Sequence, residues 1–441
     1  MLEGAGHDLC DSESEQAQVT LPGRQSMNES SSASRGPILS SAWEAMSPAA
    51  RKTAVTPPSI PAIAARAKLV AAAHPDFIRG DQGQVVNVFP EKEIYYGPSS
   101  GLPELRRLVG RFWTIAYGLS DVEGIPSGGL GAEHVAIVSG ATEGLAILLR
   151  MLAPGRKVGL QRLHWGNYRN LISLGGGEHV LLDWFKPDGS LDLDGVAAAV
   201  DDHDLRVLIM NFPANPTGDI LSDSEFKAVA ELARNRDLVL ISDEVYNWVR
   251  YDDQPRSLLG FAPERTIVVG AASKEYLIPG ARTGYVICAD ETFSSEWMPR
   301  LIRATSSSPN VLGQQATLEM LGPDVEDLEA GKPPRMLLEI KEELRRRLAM
   351  MTEVLLATGF TIEGRFPEGP RGGISLLARL PEGLDDDVAF LDKAMDMARF
   401  SAIPGSAFGA PGCVRFGYAG IPCEAIERMR TGLLDVIDSM L

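Results

Sequence analysis

At 441 residues, with 44% hydrophobic and 23% charged side chains, the chain has the composition of an ordinary globular protein and room for two or three compact units. Its formal charge of −17, with no basic arm or stripe, argues against nucleic acid and anionic membrane as partners, and no apolar run nears the roughly 18 residues of a bilayer span. Four cysteines without CxxC spacing, six scattered histidines and an acidic, serine-rich start predict a reducing cytoplasm, no metal site and no secretion signal.

Residues 1–36 are rich in Ser, Glu, Gln and Gly and poor in aromatics, so they bury too little surface to offset the entropy of ordering and read as an unstructured tail. Residues 60–73 (IPAIAARAKLVAAA) read as a helix that starts at its own proline. A loop over 79–84 and a short apolar run over 85–89 follow, and 37–94 as a whole reads as an N-terminal arm with part of a smaller domain. The turn Tyr95-Tyr96-Gly97-Pro98 feeds a helix over 103–117. Residues 135–138 (VAIV) form a buried strand, and Ser139-Gly140-Ala141-Thr142-Glu143-Gly144 opens an apolar helix running through Leu152. Strand, small-residue turn and helix start make an anion site, because the first N–H groups of a helix have no partner within it and sit at its positive end. An ordinary helix cap is the other reading, since the glycine spacing of a dinucleotide or Walker loop is absent.

Strands over 157–161, 178–183, 205–211 and 238–242 then alternate with helices over 167–174, 193–200 and 222–235. Short Val/Ile/Leu runs separated by amphipathic helices predict an α/β fold, a mostly parallel sheet sandwiched by helices. Ligands of such sheets sit beyond the carboxyl ends of the strands, and the polar punctuation falls there: Ser139-Gly140, Asn211 to Gly218, Asp243 to Tyr246, and Ser273-Lys274 after a strand over 266–270. A lysine mounted at a strand end beside a cleft is partly desolvated and able to attack a carbonyl carbon. Arg282, after a Pro279-Gly280 turn and before a strand over 283–288, can return to the same cleft and hold a phosphate with its planar fork. A solvated lysine and an unrelated arginine would give the same string. From about residue 309, helices over 310–321 and 334–358, strands over 372–380 and 413–418, and helices over 386–398 and 423–440 predict a smaller α+β domain, 309–441, beside a large domain, 95–308.

Four segments stand in one order: Asn211-Phe212-Pro213-Ala214-Asn215-Pro216-Thr217-Gly218, Asp243-Glu244-Val245-Tyr246, Ser273 to Arg282, and Pro404-Gly405-Ser406-Ala407-Phe408-Gly409 with Arg415. Together they resemble the class I/II aminotransferases, pyridoxal phosphate (PLP) enzymes of fold type I, from about residue 60 to the C-terminus. The resemblance implies that Lys274 forms an imine with the PLP aldehyde and, once displaced by substrate, serves as the base that moves the proton. It implies that Asp243 keeps the pyridine nitrogen protonated, that Tyr246 and Asn215 hydrogen-bond the ring oxygen, and that Trp165 stacks on the ring. The phosphate would rest on Arg282, Ser273 and the Ala141 and Thr142 backbone, with Tyr96 reaching the partner subunit's phosphate in a homodimer that shares its sites. Arg415, with Asn215, would grip the substrate carboxylate. The implied reaction moves an amino group between an α-amino acid and a 2-oxo acid. Singly, Asp243 reads equally as a helix-capping acid, Asn215-Pro216 as a turn, Trp165 as core and Arg415 as a surface ion pair; their joint order carries the resemblance.

The chain also departs from the family pattern. The position three before the lysine, often a phosphate-binding Ser or Thr, is Ala271, which moves that task onto Ser273, Thr142 and Arg282. The segment that usually reads Gly-Ala-Phe-Tyr is Gly372-Gly373-Ile374-Ser375, which removes an aromatic wall beside the substrate. The glycine-rich entry turn appears only loosely at 80–84. Because PLP supplies the carbanion and the pocket chooses its fate, a PLP-dependent lyase or synthase of specialised metabolism is the alternative. A non-catalytic ligand-binding protein on this fold is a third reading, against which the full set of Lys274, Asp243, Tyr246 and Arg282 argues.

Overall fold

The computed structural model describes residues 95–251, 255–366 and 368–441, with Met46, Pro48, Ala49, Arg51, Ala72 and Ala73. The expected tail over 1–36, the helix over 60–73 but for its last two residues, the 79–84 loop and the 85–89 run lie outside the described residues.

In chain order, helix α1 (Pro103–Ala116) precedes β1 (Val135–Val138), α2 (Ala141–Leu152), β2 (Lys157–Gln161), α3 (Asn167–Leu174), β3 (Glu178–Leu182), α4 (Leu193–Asp202), β4 (Val207–Asn211), α5 (Asp223–Asn235), β5 (Val239–Asp243), β6 (Thr266–Ala271), the one-turn α6 (Ala272–Glu275) and β7 (Gly284–Cys288). The strands form one seven-stranded sheet in the order β1-β7-β6-β5-β4-β2-β3. Neighbours from β3 to β6 pair in parallel, and β7 alone runs antiparallel, to both β6 and β1.

Helices cover both faces of this sheet, so its central strands read as continuous apolar runs rather than as alternation. Val207, Ile209, Val239, Ile241, Ile267 and Val269 face Leu145, Leu148 and Leu149 of α2 and Ile172 of α3. The intervening residues Leu208, Met210 and Leu240 face Val196 and Val200 of α4 and Phe226 and Val229 of α5. Each fully buried Leu, Ile or Val contributes about 1.5–3 kcal/mol relative to exposure. Helix α5 begins where a sequence reader expects: Ser222 Oγ accepts from Glu225 N, and the Glu225 carboxylate accepts from Ser222 N.

The rest of the chain supplies α7 (Met298–Ser306), α8 (Val311–Glu329), α9 (Arg335–Ala357), β8 (Thr361–Glu363), β9 (Ser375–Arg379), α10 (Asp387–Lys393), β10 (Ile403–Pro404), β11 (Cys413–Gly417) and α11 (Cys423–Met440). A smaller antiparallel sheet, β10-β11-β9-β8, packs Leu376, Val414 and Phe416 against Leu348, Met351 and Leu355 of α9 and Ile426 and Leu433 of α11.

Three features differ from the sequence expectation. The helix expected to stop at 321 continues to Glu329 through Pro323. That proline removes one helical hydrogen bond, but Leu321 and Val325 on either side are buried, and Asp324 accepts from Met336 N and Leu337 N at the start of α9. The turn Phe293–Trp297 and α7 carry no capping motif of the usual spacing; they start at Asp290, whose Oδ1 accepts from Thr292 N and Phe293 N. The helix expected over 386–398 keeps α geometry only to Lys393 and widens over 394–398.

Candidate active site

The carboxyl ends of β1, β4, β5 and β6 open onto one cleft of about 340 Å³. Lys274 stands on α6, which begins where β6 stops, so the lysine is mounted on the sheet itself. Its Nζ lies 5.9 Å from the centre of the Tyr246 ring. Burial, then Arg415 and Arg282, hold its pKa below the ordinary lysine value, while Asp243 pulls the other way.

Asp243 closes β5, in register with Asn211 of β4. Its Oδ2 accepts from the Tyr168 hydroxyl at 2.5 Å, and its main-chain carbonyl accepts from Asn211 Nδ2 at 2.9 Å. Burial raises the Asp243 carboxyl to about 6, and the Tyr168 hydrogen bond restrains the rise. Tyr246 is pushed up to about 12 by burial and by the Asp243 charge, with Arg415 and the Asn215 amide offsetting part of it. A buried carboxylate at the floor of a cleft favours a cationic partner, such as a protonated ring nitrogen.

Arg415 enters from β11 of the smaller sheet and closes one end of the cleft. Its Nη1 donates to Asn215 Oδ1 at 3.2 Å, its guanidinium lies 4.9 Å from the centre of the Phe408 ring, and its buried Nε finds no hydrogen-bond partner among the described residues. Asn215 is fixed in turn by its N–H, which donates to Asn211 Oδ1 at 2.9 Å.

At the other end Gly140 turns into α2 with φ 82°, and a Cβ there would lie 2.5 Å from Arg282 Nη2. Glycine lets the backbone and guanidinium approach each other at this point. Arg282 donates to Pro279 O at 3.1 Å and Ser139 O at 3.4 Å. With Ser273 and the positive start of α2 at Ala141 and Thr142, it forms a cup for an anion.

Ala141, Thr142, Trp165, Asn215, Asp243, Tyr246, Ser273, Lys274, Arg282 and Arg415 therefore line one cleft. Tyr96 does not; it lies outside, with 76% of its surface exposed. Five lining residues were not assigned from sequence: Leu145, Val245, Pro279 and, with hydrogen-bonding side chains, Tyr168 and Asn211. The Trp165 and Tyr168 rings meet edge-on at 5.4 Å, and their spacing of three at the start of α3 was the available signal. Where the usual aromatic segment is missing, Tyr251 and Tyr418 both donate to the Gly373 carbonyl, at 2.8 and 2.6 Å.

The sequence profile of "Aminotransferase class I and II" matches residues 91–433. The chain belongs to this family. The aspartate/prephenate aminotransferase of Thermus thermophilus is 29% identical over 326 residues, covering 74% of this chain and 78% of its own length. The aspartate aminotransferase of Bacillus subtilis is 25% identical over 408 residues, covering 87% and 98%. Among solved structures, the Thermus thermophilus aspartate aminotransferase with maleate aligns with a TM-score of 0.68 at 25% identity, over 90% of this chain and 98% of that one. This aminotransferase is thus PLP-dependent, and a lyase or synthase is not the favoured reading. The cleft fits PLP on its own terms, with an anion cup at one end, a buried carboxylate, an aromatic side chain and a desolvated lysine. Among the described residues no helix is long and apolar enough to cross a membrane.

Proposed function

We propose that the enzyme holds the PLP phosphate on Ala141, Thr142, Ser273 and Arg282, its ring against Trp165, its ring nitrogen at Asp243 and its ring oxygen at Tyr246 and Asn215. Lys274 would anchor the cofactor and, when released by substrate, would take the α-proton and return it at the cofactor's C4′. Bound PLP supplies the electron sink that stabilises charge at the substrate α-carbon. Arg415, oriented by Asn215 and by the Phe408 face, receives the substrate α-carboxylate through its planar fork. The observation that carries this reading is the charge in the cleft: Arg282, Lys274 and Arg415 face one carboxylate, Asp243, in a chain of formal charge −17. Cations concentrated there suit a phosphate at one end and a carboxylate at the other.

The chain is read as a large PLP-binding domain, 95–308, and a small domain, 309–441, to which 37–94 adds an arm. Tyr96 serves the partner subunit's phosphate in a cytoplasmic homodimer of amino-acid metabolism, in keeping with its exposure in the single chain. Relatives named for aspartate and prephenate make aspartate and glutamate the first donors to assay, with 2-oxoglutarate, oxaloacetate and prephenate as acceptors. Repeated turnover to the donor's 2-oxo acid only when an acceptor is added, beyond the single equivalent per site released without one, supports the reading. Ammonia release without an acceptor contradicts it.

A further inference from the structure

The residue beside Lys274 is a buried acid with no place in the cleft. Glu275, 5% exposed, is the last residue of α6, and it points away from the cleft into an aromatic layer built by α1 and β7. Its Oε1 accepts from the Tyr285 hydroxyl, and Trp113 Nε1 donates to that same hydroxyl at 3.3 Å. Tyr285 reaches it because its partner across the β6–β7 ladder is Gly270: a Cβ on Gly270 would lie 2.2 Å from the Tyr285 ring. The ring therefore lies over the strand that ends at α6 and ties its last residue to the sheet.

We propose that Glu275 is a positioning residue for Lys274, its carboxyl held by Tyr285 over Gly270 so that α6 presents the Lys274 amine to the cleft in one orientation. The inference rests on Lys274 being the residue that anchors PLP. The Glu275 charge is not among the groups that shift Lys274, which are Arg415, Asp243 and Arg282, so the effect is one of placement. The surroundings make the link responsive to protons. Burial raises Glu275 to about 7, against the restraint of the Tyr285 hydrogen bond. Around it are Tyr285 from β7, Trp113 from α1, Tyr117 just past the end of α1 and Tyr276 just past α6, with Glu244 beyond Tyr117 and Asp324 of α8 beyond Tyr276. Raising the pH through this range ionises Glu275 in a layer with no cation among those groups.

The test compares PLP-loaded wild type with Glu275→Ala, Glu275→Gln and Tyr285→Phe, reading kcat, KM, and the pH midpoint of the absorbance change of lysine-bound PLP. Expected are a fall in kcat of about tenfold or more for Glu275→Ala and Tyr285→Phe, with KM within about threefold and PLP still bound, and a displaced absorbance midpoint. Glu275→Gln keeps an oxygen for Tyr285 and should restore kcat to within about threefold while flattening the pH dependence near 7. Wild-type kcat and midpoint in Glu275→Ala would overturn the proposal. So would losses that track lost PLP or lost thermal stability and that glutamine does not rescue. A wild type that binds PLP on Lys274 but does not transaminate would refute the functional reading alone, and the absorbance midpoints would still decide the role of Glu275.

Discussion

The Lys274 amine is lowered in pKa first by burial and then by charges drawn from both sheets. Asp243 lies at the end of a strand of the large sheet and Arg415 on a strand of the small one, and they act on the amine in opposite senses. Lys274→Ala should abolish turnover and the covalent link to PLP, checked by mass after borohydride reduction. Arg415→Ala should retain that link and raise KM by roughly 30- to 100-fold, the loss of a charge-assisted fork worth about 2–3 kcal/mol. An unchanged KM would remove Arg415 from carboxylate binding. Tyr168→Phe tests the floor of the site. The Tyr168 hydroxyl favours the ionised Asp243 carboxylate, so removing it raises that pKa above its present value of about 6. If ionised Asp243 is the partner of a protonated ring nitrogen, as proposed, PLP affinity in Tyr168→Phe should be lost at a higher pH than in wild type as the solution is acidified. PLP titrations between pH 5 and about 8 check the direction.

At the scale of elements, what the sequence makes legible is the ends of strands. The runs at 135–138, 207–211, 239–243 and 266–271 are bounded by small or polar residues, and those boundaries line the cleft. Asp243 and Lys274 could be chosen because each stands at the end of such a run, and Arg282 because it stands just before one. Tyr168 and Asn211 could not be ranked, since their tasks are hydrogen bonds to Asp243 made by pairing between elements far apart in sequence. Glu275 was invisible for a different reason: its partner, ten residues on, is a tyrosine on β7 that gets past β6 only because residue 270 lacks a side chain. The short β8 and the passage of α8 through Pro323 depend on burial that no local pattern announces. A related constraint acts at Gly284, where a Cβ would lie 2.6 Å from Ala141 N and from the Gly140 carbonyl carbon. Neither backbone atom can swing aside. Gly284→Ala should lower stability by about 1–3 kcal/mol and weaken PLP binding by displacing the start of α2, both measurable by thermal melts and cofactor titration. Wild-type PLP affinity in this variant would place the phosphate elsewhere.

For the whole molecule, a large, mostly parallel sheet and a smaller sheet were legible from the change in pattern along the chain, and the smaller one brings Arg415 to the cleft. Oligomeric state was not, because a single exposed tyrosine is not a dimerisation signal by itself. If Tyr96 serves a neighbouring site, the protein sediments at twice the chain's mass, and Tyr96→Phe weakens PLP binding without changing that mass. A fully active monomer would rule out a shared site. The most direct single measurement is the absorbance of the PLP-loaded enzyme mixed with excess amino donor and no acceptor. Loss of the lysine-bound cofactor band, appearance of the pyridoxamine band, and release of one equivalent of matching 2-oxo acid per site would establish amino transfer at Lys274. Continuous release of ammonia or carbon dioxide with the cofactor band unchanged would contradict it.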